Sequence, residues 1–341
     1  MANPKHGRVE ILRHASRVLA ENPLGDPAER DVAVYLPPSY DGARRFPMVM
    51  FLPGYTGSGV QLLNRAAWTP SLAERWDAAI AEGRAAEAIV VMPDCFSRYG
   101  GSQYLDSPAI GRYQTYLTDE VLPLVDEKLR TIPRRDARAV AGKSSGGFGA
   151  LTLGLERADV FCALASHAGD SAFELSYLRD FGQTLLTLEK KGGVRGFLDW
   201  FERLPSKPNS AVEVMAILCN AAAYSPSASG PYGWGVGFEL PFHPLTGVLV
   251  EGVWSRWLAR DPVRLLDQPR VVEAARSLAC IYLDAGIADE FYLQLGARQL
   301  ASKLARHGIA HVHEEFDGGH MNVPYRYARS YEVVTRALAA E

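Results

Sequence analysis

No stretch of 18 apolar residues occurs in this 341-residue chain, so no membrane-spanning helix is expected. No long run of like charge occurs either. Lys and Arg number 36 against 39 Asp and Glu, a formal net charge of -3, which leaves no electrostatic footprint for nucleic acid. Cysteine is scarce. Cys95, Cys162, Cys219 and Cys280 lie far apart in mostly apolar company and read as reduced core residues, not as disulfides or metal ligands. The N-terminal stretch MANPKHGRVEILRHASRV lacks the apolar region and small-residue cleavage site of a secretory signal. These absences predict a cytoplasmic protein with no membrane or nucleic-acid partner.

What is present is 48% hydrophobic composition, enough to bury a large core. Short apolar runs end at turn residues: Val32–Leu36 before Pro37-Pro38, Met48–Leu52 before Pro53-Gly54, and Ala88–Met92 before Pro93-Asp94. Ala137–Ala141, Phe161–Ala165 and Leu278–Leu283 continue the series. Runs of this kind suit a sheet buried on both faces. Between them, Ser71–Glu82, Tyr116–Leu129, Gly147–Arg157 and Glu290–His307 carry apolar residues at helical spacing. The alternation predicts an α/β fold with a mostly parallel central sheet and helices on both faces. Val9–Leu12 and Asp31–Leu36 suggest an antiparallel edge hairpin.

From about Gly169 to Leu266 the alternation stops. Helical pieces (Phe181–Lys191, Gly196–Arg203, Val212–Tyr224) precede the aromatic, Gly- and Pro-rich SPSASGPYGWGVGFELPFHP. The division is therefore a core of residues 1–168 and 267–341 with an insertion, 169–266, forming a cap or pocket wall. The insertion's Trp200, Phe201, Tyr232, Trp234, Phe238, Phe242 and Trp254 read either as the wall of an aromatic ester pocket or as the insertion's own core. The same segment is a candidate homodimer surface.

One stretch carries chemistry. Ala137–Ala141 runs straight into Gly142-Lys143-Ser144-Ser145-Gly146, and Gly147–Leu153 then opens a helix. G-x-S-x-G occurs by chance in glycine-rich chains, but strand–turn–helix is the context a nucleophile elbow needs. The helix start also favours negative charge developing beside Ser144. A serine nucleophile needs a base and an orienting acid, in the chain order Ser, Asp/Glu, His on such a fold. Asp284, Asp289 and Glu290 compete for the acid. Asp289 is favoured because it follows the Gly286 turn and precedes a helix. His320 lies on the Gly-rich loop of FDGGHMNVP, after strand-like His311–Phe316 and before a final helix, and is the base candidate. The Ser145 and Tyr55 amides are the candidate oxyanion donors, with Gly54 permitting the turn. His167 and His243 are candidates for the pocket lining, with core or surface places equally open. A His311-x-His313 metal pair lacks a third ligand of suitable spacing, so neither metal nor cofactor is expected.

VYLPPSYD, MVMFLPGYTGS, VVMPDCFSRYGGSQYLDSPAIGRYQTYLTDEVLPLVDEKLRT, AVAGKSSGGFGALTLGLERADVFCALASHAG, DAGIADEF and DGGHMN together resemble the putative-esterase (esterase D-like) family of α/β-hydrolases. That family includes S-formylglutathione hydrolases, enterochelin-esterase-like proteins, feruloyl esterases and antigen 85-type mycolyltransferases. The resemblance implies a Ser144–Asp289–His320 triad, and a pocket bordered by the Asp94–Tyr104 segment and Tyr113. Where many relatives carry His and Met in the elbow, this chain has Lys143 and Ser145. Leu52–Gly57 replaces the Trp-x-x-Gly-Leu-Thr-Cys-type segment of the S-formylglutathione hydrolases, which argues against glutathione thioesters. The expected activity is serine-dependent hydrolysis of a small or aromatic carboxylic ester. Acyl transfer by the same triad, or ligand binding without catalysis on the same fold, are the alternatives.

Overall fold

A computed structural model describes residues 6–65 and 67–340; residues 1–5, Ala66 and Glu341, assigned above to the core, lie outside the described residues. Strands β1 (Arg8–Ala15), β2 (Glu29–Leu36), β3 (Met48–Leu52) and β4 (Ile89–Pro93) come first, followed by a short hairpin, β5 (Asp106–Ser107) and β6 (Gly111–Arg112). Then come β7 (Arg138–Lys143), β8 (Ala163–His167), β9 (Cys280–Gly286) and β10 (Val312–Phe316). Among the described residues, eight strands form one sheet in the order β1-β2-β4-β3-β7-β8-β9-β10. β1 and β2 form the expected antiparallel edge, β2 pairs antiparallel with β4, and the strands from β4 to β10 pair in parallel.

Each residue of β3 and β4 is buried, because helices cover both faces. Alternate side chains go to opposite layers. Met48, Met50, Leu52 and Val140 join one core cluster, while Val49, Phe51, Ala139 and Ala141 join the other. Helix α1 (Leu72–Ala81) starts at a capping box, in which Ser71 Oγ accepts from the Glu74 amide and the Glu74 carboxylate accepts from the Ser71 amide. The expected Tyr116–Leu129 helix is instead a composite, α2 (Tyr113–Thr115) and α3 (Leu122–Lys128) flanking a π-helical stretch, Tyr116–Val121. That stretch carries Glu120, whose buried carboxylate accepts from the Arg17 and Val18 amides and the Ser16 hydroxyl. Helical spacing alone carries no signal for that inserted residue.

Helix α4 (Ser145–Glu156) follows β7. Between β8 and β9 come α5 (Phe173–Ser176), α6 (Leu178–Lys190), α7 (Gly193–Arg203) and α8 (Asn209–Tyr224), then α9 (Glu251–Leu258), α10 (Pro262–Leu265) and α11 (Pro269–Arg276). Helices α12 (Leu293–Arg306) and α13 (Pro324–Thr335) complete the chain. The aromatics of residues 169–266 pack on one another and on the rest of the fold: Phe181 meets Phe242, Trp254 and Trp257, while Trp234 stacks on Tyr99. The cysteines are free thiols, and no helix among the described residues is long and apolar enough to cross a membrane.

Asp261 closes this helical segment on itself. Its fully buried carboxylate accepts from the Ala172 and Phe173 amides at the start of α5 and from Val263 at the start of α10, at 2.9–3.0 Å. Asp261→Ala leaves three amides without an acceptor and is expected to cost about 2–3 kcal/mol, read as a lower urea midpoint. A midpoint equal to wild type would refute that role.

Candidate active site

Ser144 is the residue between β7 and α4, with φ 59° and ψ -124°. A non-glycine residue held there stores strain on the order of 1–3 kcal/mol, which the surroundings must impose. They do so through close backbone packing. A Cβ on Gly146 would lie 2.0 Å from the Leu52 carbonyl oxygen, and one on Gly142 would lie 2.1 Å from the Gly146 oxygen. Only hydrogen fits at either position, so the first turn of α4 is driven against the end of β3. The Ser144 amide donates to the His167 carbonyl at 2.9 Å, and the Phe148 amide donates to the Ser144 carbonyl at 2.8 Å.

The structure brings Ser144, His320 and Asp289 into one chain of contacts. Ser144 Oγ lies 2.9 Å from His320 Nε2, and His320 Nδ1 lies 2.8 Å from Asp289 Oδ2. Asp289 Oδ1 accepts from the Phe291 amide at 2.9 Å. The β9 and β10 loops are joined as well. The Ile287 amide donates to the Phe316 carbonyl, and the Ala288 amide to the Gly318 carbonyl. Glu290 accepts from the His320 backbone amide at 2.7 Å, which holds its carboxyl below the usual range. Tyr292 takes a left-handed φ of 63°, so α12 starts three residues later than helical spacing suggests. The intervening residues are free to hold the histidine loop. Asp284 goes elsewhere, with its carboxylate 2.7 Å from His167 Nδ1.

Gly54 lies over the elbow, where a Cβ would be 3.5 Å from Ser144 Cβ and 3.4 Å from the Lys143 oxygen. The Thr56 amide donates to Gly100 and the Gly57 amide to Gly54, which pins the loop. Among the described residues neither the Tyr55 amide nor the Ser145 amide, the first of α4, has an acceptor. Ser144 opens into a cavity of about 450 Å3, lined also by Gly54, Tyr55, Ser145 and His320. One face of α8 borders it through Asn209, Val212, Glu213, Ala216, Ile217 and Asn220, which follow helical spacing. Gln103, Asp170 and Tyr177 form its polar side. Tyr177 OH donates to Asp170 at 2.9 Å, Gln103 Nε2 donates to Tyr224 OH at 2.7 Å, and Ser145 Oγ donates to Gln103 Oε1. Burial raises the Asp170 pKa, opposed by the Tyr177 and Gln103 hydrogen bonds.

Six of the candidate pocket residues lie away from this cavity. Asp94 pairs with Arg30, and the Tyr113 hydroxyl accepts from the same guanidinium at 2.8 Å. Tyr104 donates to the Pro53 carbonyl and supports the loop from beneath. Trp234 stacks on Tyr99, 4.9 Å between ring centroids. His167 is buried between Asp284 and Ser330. His243 is on the surface. None of the seven segment aromatics lines the cavity; Phe238, Phe242 and Trp254 are buried in the core, and Trp200, Phe201, Tyr232 and Trp234 pack half-buried against it. Of the Asp94–Tyr104 segment, Gln103 does line the cavity, whereas Asp170, Tyr177 and the α8 face were not expected there. The available signal was the polar stripe Asn209, Glu213 and Asn220 on an otherwise apolar helix.

The chain belongs to the family described as Putative esterase, whose model matches residues 27–328. Esterase MT1326 of Mycobacterium tuberculosis (strain CDC 1551 / Oshkosh) is 34% identical over 99 residues, which cover 28% of this chain and 20% of that protein. The match thus spans about a fifth of the curated relative's length. Among solved structures, a ferulic acid esterase superposes with a TM-score of 0.60 at 20% identity, covering 98% of this chain and 99% of that one. An S-formylglutathione hydrolase from Agrobacterium tumefaciens gives 0.56 at 16% identity, covering 99% and 98%. At these identities the likeness is one of fold. With the mostly parallel sheet, it establishes the α/β-hydrolase architecture that the resemblance implied.

Lys143, the elbow residue before Ser144, is the cation of the cavity lining, facing Asp170 and Glu290. Burial pulls its pKa down from the ordinary 10.5 to about 8, although Asp289, Asp170 and Glu290 pull it up. A depressed lysine pKa means the unfolded chain binds more protons above that value, so this group penalises the fold at neutral pH and ceases to do so by about pH 10.5. Lys143→Met is therefore expected to raise stability at pH 7 by on the order of 1–2 kcal/mol, with the difference shrinking from pH 8 to 10.5. Paired thermal melts across that range test it; a variant less stable at pH 7 contradicts the sign.

Proposed function

We propose that this protein is a serine carboxylic-ester hydrolase working through a covalent acyl-enzyme on Ser144. The observation that carries the reading is the unbroken Ser144–His320–Asp289 chain at 2.9 and 2.8 Å, opening into the cavity. Ser144 Oγ attacks the acyl carbonyl as His320 Nε2 takes its proton. Asp289 accepts from Nδ1–H, keeps the ring in the productive tautomer and stabilises the imidazolium. The tetrahedral oxyanion is received by the Tyr55 and Ser145 amides at the α4 start. The C–O bond to the leaving alcohol breaks as His320 returns the proton to it. Water then adds to the acyl-enzyme by the same roles, releasing the acid and free Ser144.

Residues 169–266 serve in this reading as the pocket wall above a core of 1–168 and 267–341. The lining of Val212, Ala216, Ile217, Phe291, Leu293 and Met321 suits an apolar or aromatic group. The fold neighbour that is by name a ferulic acid esterase supports trying an aromatic acyl group first.

Exposure of the wild type to a fluorophosphonate, followed by intact mass, should give one adduct that Ser144→Ala lacks. Turnover of p-nitrophenyl esters should fall about 10^6-fold in Ser144→Ala and about 10^4-fold in Asp289→Asn. A folded wild type with neither adduct nor turnover would sink this mechanism.

A further inference from the structure

A second buried cluster joins the same loops on the α13 face of the sheet. His167 Nδ1 lies 2.7 Å from Asp284 Oδ1, and His167 Nε2 lies 2.7 Å from Ser330 Oγ. These distances resemble those of the Ser144–His320–Asp289 chain, yet Ser330 is 2% exposed and both partners 1%. No substrate reaches this serine, so the cluster is not a reaction centre. Its connections indicate another use. Asp284 Oδ2 accepts from Tyr282 OH at 2.8 Å and from Arg326 Nε at 2.9 Å. Arg326 also donates to Glu314 on β10, and Glu314 accepts from Arg329 on α13. Burial works against the charge on Asp284, but His167 and Arg326 beside it hold its carboxyl below the usual range.

Each of the three site loops leaves this cluster within a few residues. The His167 carbonyl accepts the Ser144 amide, and the Ala168 amide donates to the Asp284 carbonyl at 2.7 Å. Asp284 lies near the end of β9, just before the loop that carries Asp289. Glu314 and Arg326 bracket the loop that carries His320. Removing a hydrogen-bonded ionic cluster of this depth loosens all three loops at once, whereas a buried ion pair is in itself weak evidence for stability.

We propose that His167, Asp284 and Arg326 are positioning residues that set the Ser144–His320 contact by clamping the loops on either side of it. The inference rests on Ser144 being the nucleophile. Arg326 is a usable handle because its side chain is 16% exposed, so Arg326→Gln removes the clamp without opening the core. In the full chain, the rate of fluorophosphonate labelling and kcat on a p-nitrophenyl ester are expected to fall about 10- to 100-fold, as for a misplacement of about 1 Å. KM should stay within about two-fold, because the cavity lining is untouched. Asp284→Asn should show the same split with a larger fall. Folded variants that label and turn over at the wild-type rate overturn the proposal, as does a change confined to KM. If both variants fail to fold, the cluster is a stability element and the proposal is overturned. A wild type that takes no adduct at Ser144 removes the nucleophile reading and this inference with it. A wild type that labels while the variants match it removes this inference alone.

Discussion

The contact between the first turn of α4 and the end of β3 governs the rest of the site. Gly142 and Gly146 have hydrogen where any other residue would place a carbon about 2 Å from a backbone oxygen. That approach holds Ser144 at φ 59°, past the end of the interior strand β7, where it lines the cavity. Ser145, the first residue of α4, and Tyr55 from the loop after β3 line the same cavity. His320, Asp289 and the cavity are arranged around that serine. A larger residue at either glycine displaces all of them together.

The parts legible in the sequence are those set by local rules. Met48–Leu52 is a strand with the bounds its apolar run suggests, and the other apolar runs end within two or three residues of the observed strands. The elbow was legible because strand, Gly-x-Ser-x-Gly and helix follow one another without a gap. Asp289 was separable from Asp284 by a turn: a residue at the end of a buried strand points into the sheet layer, where Asp284 meets His167. One beyond the Gly286 turn is free to face the histidine loop. Tyr292 illustrates the limit, since helical spacing gives no sign that a left-handed residue delays α12.

The pocket was less legible because its lining depends on how separate elements rotate against one another. Composition leaves Trp234 and Trp254 open as pocket wall or as core, and they pack against Tyr99 and Phe181. The face of α8 that borders the cavity carries Asn209, Glu213 and Asn220, which only the tertiary arrangement turns toward Ser144. His167 has the same history. Its place at a strand end near the elbow suggests the pocket, but its side chain crosses to the other layer, where Phe51, Tyr282 and Tyr327 surround it. Both buried histidines are paired with carboxylates, and only one of them meets open space.

A crystal structure of the protein phosphonylated by a fluorophosphonate would show whether Ser144 and the two amides act together, since the phosphonyl oxygen reports where negative charge would develop. Phosphorus is expected on Ser144 Oγ, with that oxygen about 2.7–3.1 Å from both the Tyr55 and Ser145 amides. A phosphonate on another residue, or an oxygen on Ser144 that turns away from both amides, would contradict the proposed mechanism.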